Sequence, residues 1–356
     1  MEKRGSTLKE VAELAGVSTA TVARVIHNNG YVADDTRRKV DEILASTGYR
    51  INAVAQGLRR QRTQTIGHLL VSMTPNQFFT NVAAGAEEIA AAHQSNVFII
   101  DTGGSVERER MAVETLIQRR VDAILFTVAV HASNVKLALD AGIPVVQVER
   151  NRGAKSAFVT ADNMGGAHAA VRHLIDLGHR RIAFIGVDPK NMPTDPGLSA
   201  TRSIEQDRLD GYLIALREAE IPLESSLIRL WPEYFVGGSS HTKNPGYILV
   251  NELLDSPSPP TAIFSTLDLV AAGALQALYE RGLRVPDDIS IVGFDDTYAP
   301  FLSPPLTTVD NPMLEMGRTA ARLVFEQIEN NKTPEQLPDV ILPMQLLIRQ
   351  STASPK

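Results

Sequence analysis

Thr19, Ala20, Thr21 and Arg24 follow closely on Ser18 and together present two hydroxyls, a methyl and a guanidinium. These are groups that read base edges. At the start of a helix, a guanidinium can make a two-pronged contact to guanine O6 and N7 with about 1–3 kcal/mol of discrimination, whereas Ala20 offers only a methyl-sized surface. Further along, Leu58 is followed by Arg59, Arg60 and Arg62. An apolar side chain beside cations suits a minor-groove wedge, the leucine parting a base step while the arginines neutralise phosphate. A flexible interdomain linker is the other reading of that stretch.

The surrounding sequence supplies elements that could hold these groups. Thr7 and Glu10 are spaced as a capping box, so a helix starts there, with Leu8, Val11, Ala12 and Leu14 as its apolar face. Gly16 permits a tight turn, and Ser18 caps a second helix carrying Val22, Val25 and Ile26 inward. This is helix-turn-helix spacing, although helix pairs with a glycine turn also occur in packed cores. Asp34 and Asp35 favour the positive end of a third helix that runs through Val40, Ile43 and Leu44 and stops at Gly48. The stretch from Asn52 to Leu58 is too short to hold a helix in water alone, so it is expected to order on binding.

Charge is spread unevenly. Residues 1–62 hold 11 Lys and Arg against 7 Asp and Glu, net +4; the remainder holds 24 against 34, net −10. The first part is attracted to phosphate and the rest is repelled by it. At 356 residues and 44% hydrophobic content, two to three domains with a sizeable core are expected. Zero cysteines exclude disulfides and thiolate metal sites. The N-terminus has no apolar run of signal-peptide type and no segment approaches a membrane span, so a cytoplasmic protein without membrane contact is expected.

From Thr65 onward, short apolar runs alternate with amphipathic stretches, the pattern of parallel sheets flanked by helices. TIGHLLV, NVFIID, DAILFTV, PVVQVE, RIAFIG, AIFST and ISIVGFDD read as strands, with helices between them, for instance Phe79 to His93 and Asp268 to Arg281. Two sheets, roughly Thr65 to Ala161 and Asp162 to Ser290, would make two lobes with a cleft between. Ligands of open α/β sheets sit at the carboxyl ends of strands. Glu149 and Arg150 end the fourth strand, and Phe78 and Phe79 open the helix after the first. An interlobe salt bridge is the competing role for the charged pair, and a core role for the phenylalanines.

No enzyme is indicated. His168, His173 and His179 have no converging acidic set and read as surface or capping groups, so no metal or other cofactor is expected. GGAHAAVRHL lacks the Gly-Lys-Ser/Thr ending of a phosphate loop, and neither G-x-G-x-x-G after a strand nor G-x-S-x-G occurs.

TLKEVAELAGVSTATVARVI, YVADDTRRKV, GYR and NAVAQGLRR resemble the headpiece and hinge of the lactose/galactose-repressor family. The likeness continues in DNMGGAHAAVRHLIDLGHRRIAFIG, RLDGY, LDLVAAG, VPDDISIVGFDD and PPLTTVDNPMLEMGRTAARLV. It implies a three-helix headpiece over 1–50 and a hinge helix and linker over 51–64. A two-lobed body like a periplasmic binding protein, built on two parallel α/β sheets, follows over 65–356. The chain would cross between lobes three times, the N-lobe taking about 65–161 and 291–325 and the C-lobe about 162–290 and 326–352. The family's two specificity residues fall on Thr19 and Ala20, its recognition-helix arginine on Arg24 and its intercalating leucine on Leu58. Ser18, Thr21, His27, Tyr31, Asn52, Ala55 and Arg59 join them as DNA-facing positions.

In the cleft, the resemblance points Phe78 and Phe79 inward, makes Glu149 and Arg150 the family's acidic and basic pair, and gives Arg208 and its partner carboxylate Asp268 the effector's oxygens. A guanidinium and a carboxylate can fork onto neighbouring hydroxyls. Arg202 and Tyr234 are further effector positions. The implied protein is a homodimer, most simply a repressor, on double-stranded operator DNA, controlled by a small effector that could be a sugar, a sugar acid or a phosphosugar. A sugar-binding transport protein and a two-lobed nucleoside hydrolase are alternatives that leave the headpiece unexplained. Departures from the family pattern are Ala23 for serine, His27 for asparagine, Ile51 for the proline before the hinge, Gly57 within it and Leu267 for asparagine. Gly57 lowers helix propensity by about 1 kcal/mol, so a hinge that depends on DNA for its order is expected.

Overall fold

The computed structural model describes residues 7–49, 62–73, 76–150, 153, 155–191, 203–232 and 244–356. The chain divides into two compact units, Met1–Thr63 and Gln64–Lys356.

In the first unit, α1 spans Leu8–Ala15, α2 Thr19–Ile26 and α3 Asp34–Thr47. The capping box forms: the Thr7 amide donates to Glu10 Oε2 at 2.8 Å and the Glu10 amide to Thr7 Oγ1 at 3.3 Å. Gly16, at φ 69°, turns the chain out of α1 in a conformation that favours glycine. Val11, Ala12, Ala15, Val22, Val25 and Val40 form the core, with Leu8, Ile26, Ile43 and Leu44 packed around it. Leu14 is 60% exposed. Ala15 takes the inward place expected of it, because the turn of α1 that meets α3 is set by Val11 and Ala15, four residues apart.

The second unit runs β1 (Thr65–Leu70), α4 (Gln77–Ala92), β2 (Asn96–Asp101), α5 (Val106–Gln118), β3 (Ala123–Thr127), α6 (Ala132–Asp140), β4 (Val145–Val148) and β5 (Ala157–Ala161). It continues with α7 (Asn163–Asp176), β6 (Ile182–Val187), α8 (Ile204–Glu218), β7 (Ile228–Trp231), α9 (Pro245–Leu254), β8 (Ala262–Ser265), α10 (Asp268–Glu280) and β9 (Ser290–Asp295). It ends with β10 (Thr307–Asp310), α11 (Met313–Asn330), β11 (Val340–Leu342) and β12 (Gln345–Leu347). The strands form two six-stranded sheets, ordered β11-β5-β4-β3-β1-β2 and β12-β10-β9-β8-β6-β7. Every pairing is parallel except β10 with β12. Helices cover both faces, so the strands are nearly continuous apolar runs.

The chain passes between lobes after β5, after β10 and after β11. The lobe boundaries expected near 290 and 325 are therefore corrected. β9 pairs with β8 and β10 with β9 in register, so the second sheet is completed before the chain crosses at Asn311 and Pro312. α11 and β11 then belong to the first lobe. Met313, Met316, Ala320 and Val324 of α11 join Val82, Ala83 and Ala86 of α4 in one core. The two helices approach closely at Gly85 and Gly317, where an added Cβ would overlap the carbonyl oxygens of Leu314 and Val82 respectively.

Candidate functional site

On the headpiece, α2 begins at Ser18, whose Oγ accepts the Thr21 amide at 3.1 Å and lies 3.0 Å from Thr21 Oγ1. That pairing turns Thr21 toward the cap. Val22 and Val25 are buried, while Thr19, Ala20, Arg24, His27 and Tyr31 are exposed, Tyr31 to 90%. Arg37 Nη1 donates to Asn28 Oδ1 at 3.0 Å and ties the loop after α2 to α3. The first turn of α2 and its following loop thus carry a continuous polar surface with one free-standing phenol. Asn52, Ala55, Leu58 and Arg59, with Ile51 and Gly57, lie outside the described residues.

In the body, polar side chains converge where the carboxyl ends of strands from both sheets meet. Glu149 follows β4 of the first lobe at φ 69°. Its carboxylate accepts from Thr160 Oγ1 and from Asn163 Nδ2, each at 3.3 Å. Asn163 opens α7, just past the first crossover, and its Oδ1 accepts Arg208 Nε at 2.9 Å. Arg208 Nη1 donates to the Thr266 carbonyl at 2.6 Å and Nη2 to Asp295 Oδ1 at 3.4 Å. Its guanidinium carbon lies 3.9 Å over the Phe294 ring. Asn311 Nδ2 reaches Asp295 Oδ1 at 3.2 Å from the second crossover. Arg150 Nη2 donates to Glu205 Oε1 at 2.8 Å, linking the end of β4 to the first turn of α8.

Local sequence explains these placements. Glu205 and Arg208 sit three residues apart on one face of α8, whose N-terminus is capped by Ser203. Gly211 lets α8 come close against α7, since a Cβ there would overlap the Met164 carbonyl. Asp295 and Asp296 take φ of 102° and 51°, a strained turn that aims consecutive carboxylates in different directions. Asp296 pairs with Arg349 at 2.7 Å.

The charged members are nearly dry: Arg208 is 4% exposed, Glu149 3%, Asp295 5% and Glu205 7%. Burial raises the Glu149 carboxyl to about 7, against the opposing pull of Arg208. Burial also raises Asp295, again opposed by Arg208.

Three expected cleft residues lie elsewhere. Phe78 and Phe79 are buried, pack edge to face with centroids 5.3 Å apart, and belong to the first lobe's core; α4 turns its apolar stripe onto the sheet, so their rings leave the cleft. Asp268 does not pair with Arg208. Its oxygens accept from Thr308 Oγ1 at 2.7 Å and from the amides of Thr297 and Ala299 at 2.8 and 3.3 Å. It braces the turn after β9, and burial raises its carboxyl to about 7. Asp295 is the partner of Arg208 instead. Arg202 and Tyr234 lie outside the described residues. Asn163, Glu205, Asp295 and Asn311 were missed by sequence reasoning; the paired aspartates closing ISIVGFDD, at the carboxyl end of an apolar strand, were the available signal for Asp295. His179, read as a surface or capping group, is buried, with Nε2 2.8 Å from the Ala353 carbonyl and Nδ1 2.9 Å from Thr261 Oγ1. Among the described residues no set of three or more His, Cys, Asp or Glu could hold a metal, and no helix is long and apolar enough to cross a membrane.

A helix-turn-helix unit followed by two α/β lobes, with a buried polar network at the carboxyl ends of both sheets, defines a DNA-binding regulator with a ligand-sensing body. Residues 7–52 match the family described as bacterial regulatory proteins, lacI family, and residues 171–352 match the periplasmic binding protein-like domain. The ribose operon repressor of Haemophilus influenzae is 36% identical over 354 residues, covering 99% of this chain and 100% of the relative. Among solved structures, a lac repressor dimer bound to operator and the anti-inducer ONPF is 25% identical, with TM-score 0.81, covering 98% of this chain and 100% of that one. A LacI family regulator from Enterococcus faecium with bound ribose is 28% identical, with TM-score 0.68, covering 82% of this chain and 100% of that one. The chain belongs to the lacI family of bacterial transcriptional regulators, and it is a regulator rather than an enzyme.

Proposed function

We propose that this regulator is a cytoplasmic repressor that reads a pseudo-palindromic operator as a homodimer, and that a small sugar between its lobes sets operator affinity. Dimer symmetry would match DNA symmetry. Thr19, Ala20 and Arg24 meet base edges, with Ser18, Thr21, His27 and Tyr31 on or beside phosphate. Asn52, Ala55, Leu58 and Arg59 act at the minor groove, the two Leu58 side chains forming the wedge.

The observation that carries the effector reading is the path from Glu149 through Asn163 to Arg208 and Asp295. It runs from one lobe into the other. A ligand that bonds to its members binds one lobe arrangement better than another, and that difference in affinity is what shifts an equilibrium. Whether the sugar releases or promotes DNA binding is a property of the individual regulator. Ribose is the first sugar to try, since it is named for one close relative and bound in one solved neighbour. A thermal-shift screen of neutral sugars, sugar acids and phosphosugars tests the cleft. A ligand at 100 times its dissociation constant adds about 2.7 kcal/mol, and the shift is expected to vanish in Arg208→Ala. A shift that survives Arg208→Ala would place the sugar elsewhere.

A further inference from the structure

We propose that Glu205 sets the charge class of the effector: by holding Arg150 across the cleft it leaves no buried cation without a carboxylate partner among the described residues of the site, so uncharged polyhydroxylated ligands are accepted and sugar phosphates and sugar acids are refused. The proposal rests on the reading of the interlobe network as the effector site and narrows it to one ligand chemistry.

Arg150 and Arg208 are the only buried cations among the described residues. Each already meets a buried carboxylate, Arg150 with Glu205 at 2.8 Å and Arg208 with Asp295 at 3.4 Å. Arg208 uses two further donors on the Thr266 carbonyl and Asn163 Oδ1. Glu149 adds a further carboxyl, hydrogen-bonded to Thr160 and Asn163. An anionic ligand would bring its charge into a dry, acid-rich pocket, where an unpaired charge is costly.

Two buried acceptors point the same way. Glu205 Oε2 and Asn311 Oδ1 are buried without a hydrogen-bond partner. The Asn311 amide is oriented by its Nδ2 contact to Asp295, so the atom left over is an oxygen. Both are acceptors beside the two ion pairs, one on Arg150's partner Glu205 and one on Asn311, which bonds to Arg208's partner Asp295. A buried acceptor is satisfied by a donor. Sugar hydroxyls donate; phosphate and carboxylate oxygens at neutral pH do not.

The test is calorimetric titration of the full chain at pH 7.5 with matched pairs, each a neutral sugar and its phosphate: ribose and ribose 5-phosphate, glucose and glucose 6-phosphate, galactose and galactose 6-phosphate. Wild type is expected to prefer the neutral member of the bound pair by at least 100-fold. Glu205→Gln should narrow that ratio at least tenfold by gaining the phosphate, while Glu205→Asp, which keeps the charge, should not. Preference of wild type for the phosphate would overturn the charge assignment while leaving the cleft as the sugar site, and this reading needs no variant to fold. An unchanged ratio in folded Glu205→Gln would overturn the role of Glu205. Absence of binding by every pair to wild type would overturn the sugar reading of the cleft, and this proposal with it.

Discussion

The guanidinium of Arg208 lies 3.9 Å over the ring of Phe294, the residue next to its carboxylate partner Asp295 on β9. One strand end therefore supplies both a flat wall and a counter-charge, and the cation is held in plane as well as in position. Arg208→Met would leave Asp295 buried beside no cation. A loss of about 3–5 kcal/mol in urea unfolding of the ligand-free body is expected, and adding Asp295→Asn should restore more than half of it. Simply additive losses would show that the pair is not coupled.

Glu149 gives the body a pH dependence whose sign is fixed. Its carboxyl is raised from an ordinary 4.5 to about 7 by burial. Between these values the unfolded chain has given up its proton while the folded chain keeps it. Stability therefore falls as pH rises through that window, and the penalty is complete above about 7. Glu149→Gln should gain on wild type from pH 5 to pH 8 in thermal melts. Asp268 and Asp295 remain in both proteins, so a difference that does not change with pH would contradict the buried-carboxyl account.

The crossing of α4 and α11 leaves no room for a side chain at Gly317, because the obstructing atom is the Val82 backbone carbonyl. Gly317→Ala is expected to destabilise the body by about 1–3 kcal/mol through overpacking. Unfolding followed by the single tryptophan, Trp231 in the second lobe, would report whether the loss is transmitted across lobes. An unchanged denaturation midpoint would mean that the helices can separate freely.

On the headpiece, Thr19 and Ala20 are small and Arg24 is exposed, so Arg24 is expected to carry more of the base discrimination than its neighbours. Arg24→Ala should weaken specific DNA binding by about 1–3 kcal/mol, roughly five- to 150-fold, with little effect on random DNA. Ser18→Ala should instead cost about 1 kcal/mol of headpiece stability through its lost cap. For Leu58→Ala, specific binding should suffer much more than random binding; equal losses would remove the wedge.

Sequence reasoning reached what is local. The pairing of Thr7 with Glu10, the Ser18 cap and the Gly16 and Gly48 turns are each settled within a few residues, so they are legible from spacing. Strands such as Ala123–Thr127 are legible because burial on both faces makes them uninterrupted apolar runs. Which lobe a strand joins is decided by its hydrogen-bonded neighbour, and for β9 that neighbour is β8, across a helix and a turn. Asp268 and Asp295 pose the same difficulty: one opens the helix after β8 and the other closes β9, and only the fold shows that the first braces a turn while the second meets Arg208. Phe78 and Phe79 follow a strand as a cleft residue would, yet the rotation of α4 about its axis takes them into the core. Arg150 lies two residues past β4, and its partner Glu205, distant in sequence, could not be read from spacing.

The central claim is that one chain couples DNA reading at α2 to a neutral sugar at the Arg208 network. Fluorescence anisotropy of the full chain on a DNA site enriched from random sequence, titrated with and without a sugar that shifts its melting, tests this directly. A pseudo-palindromic site is expected, with an affinity change of at least tenfold in wild type and none in Arg208→Ala. Enrichment of no site, or a sugar that binds in the cleft and leaves operator affinity unchanged, would contradict it.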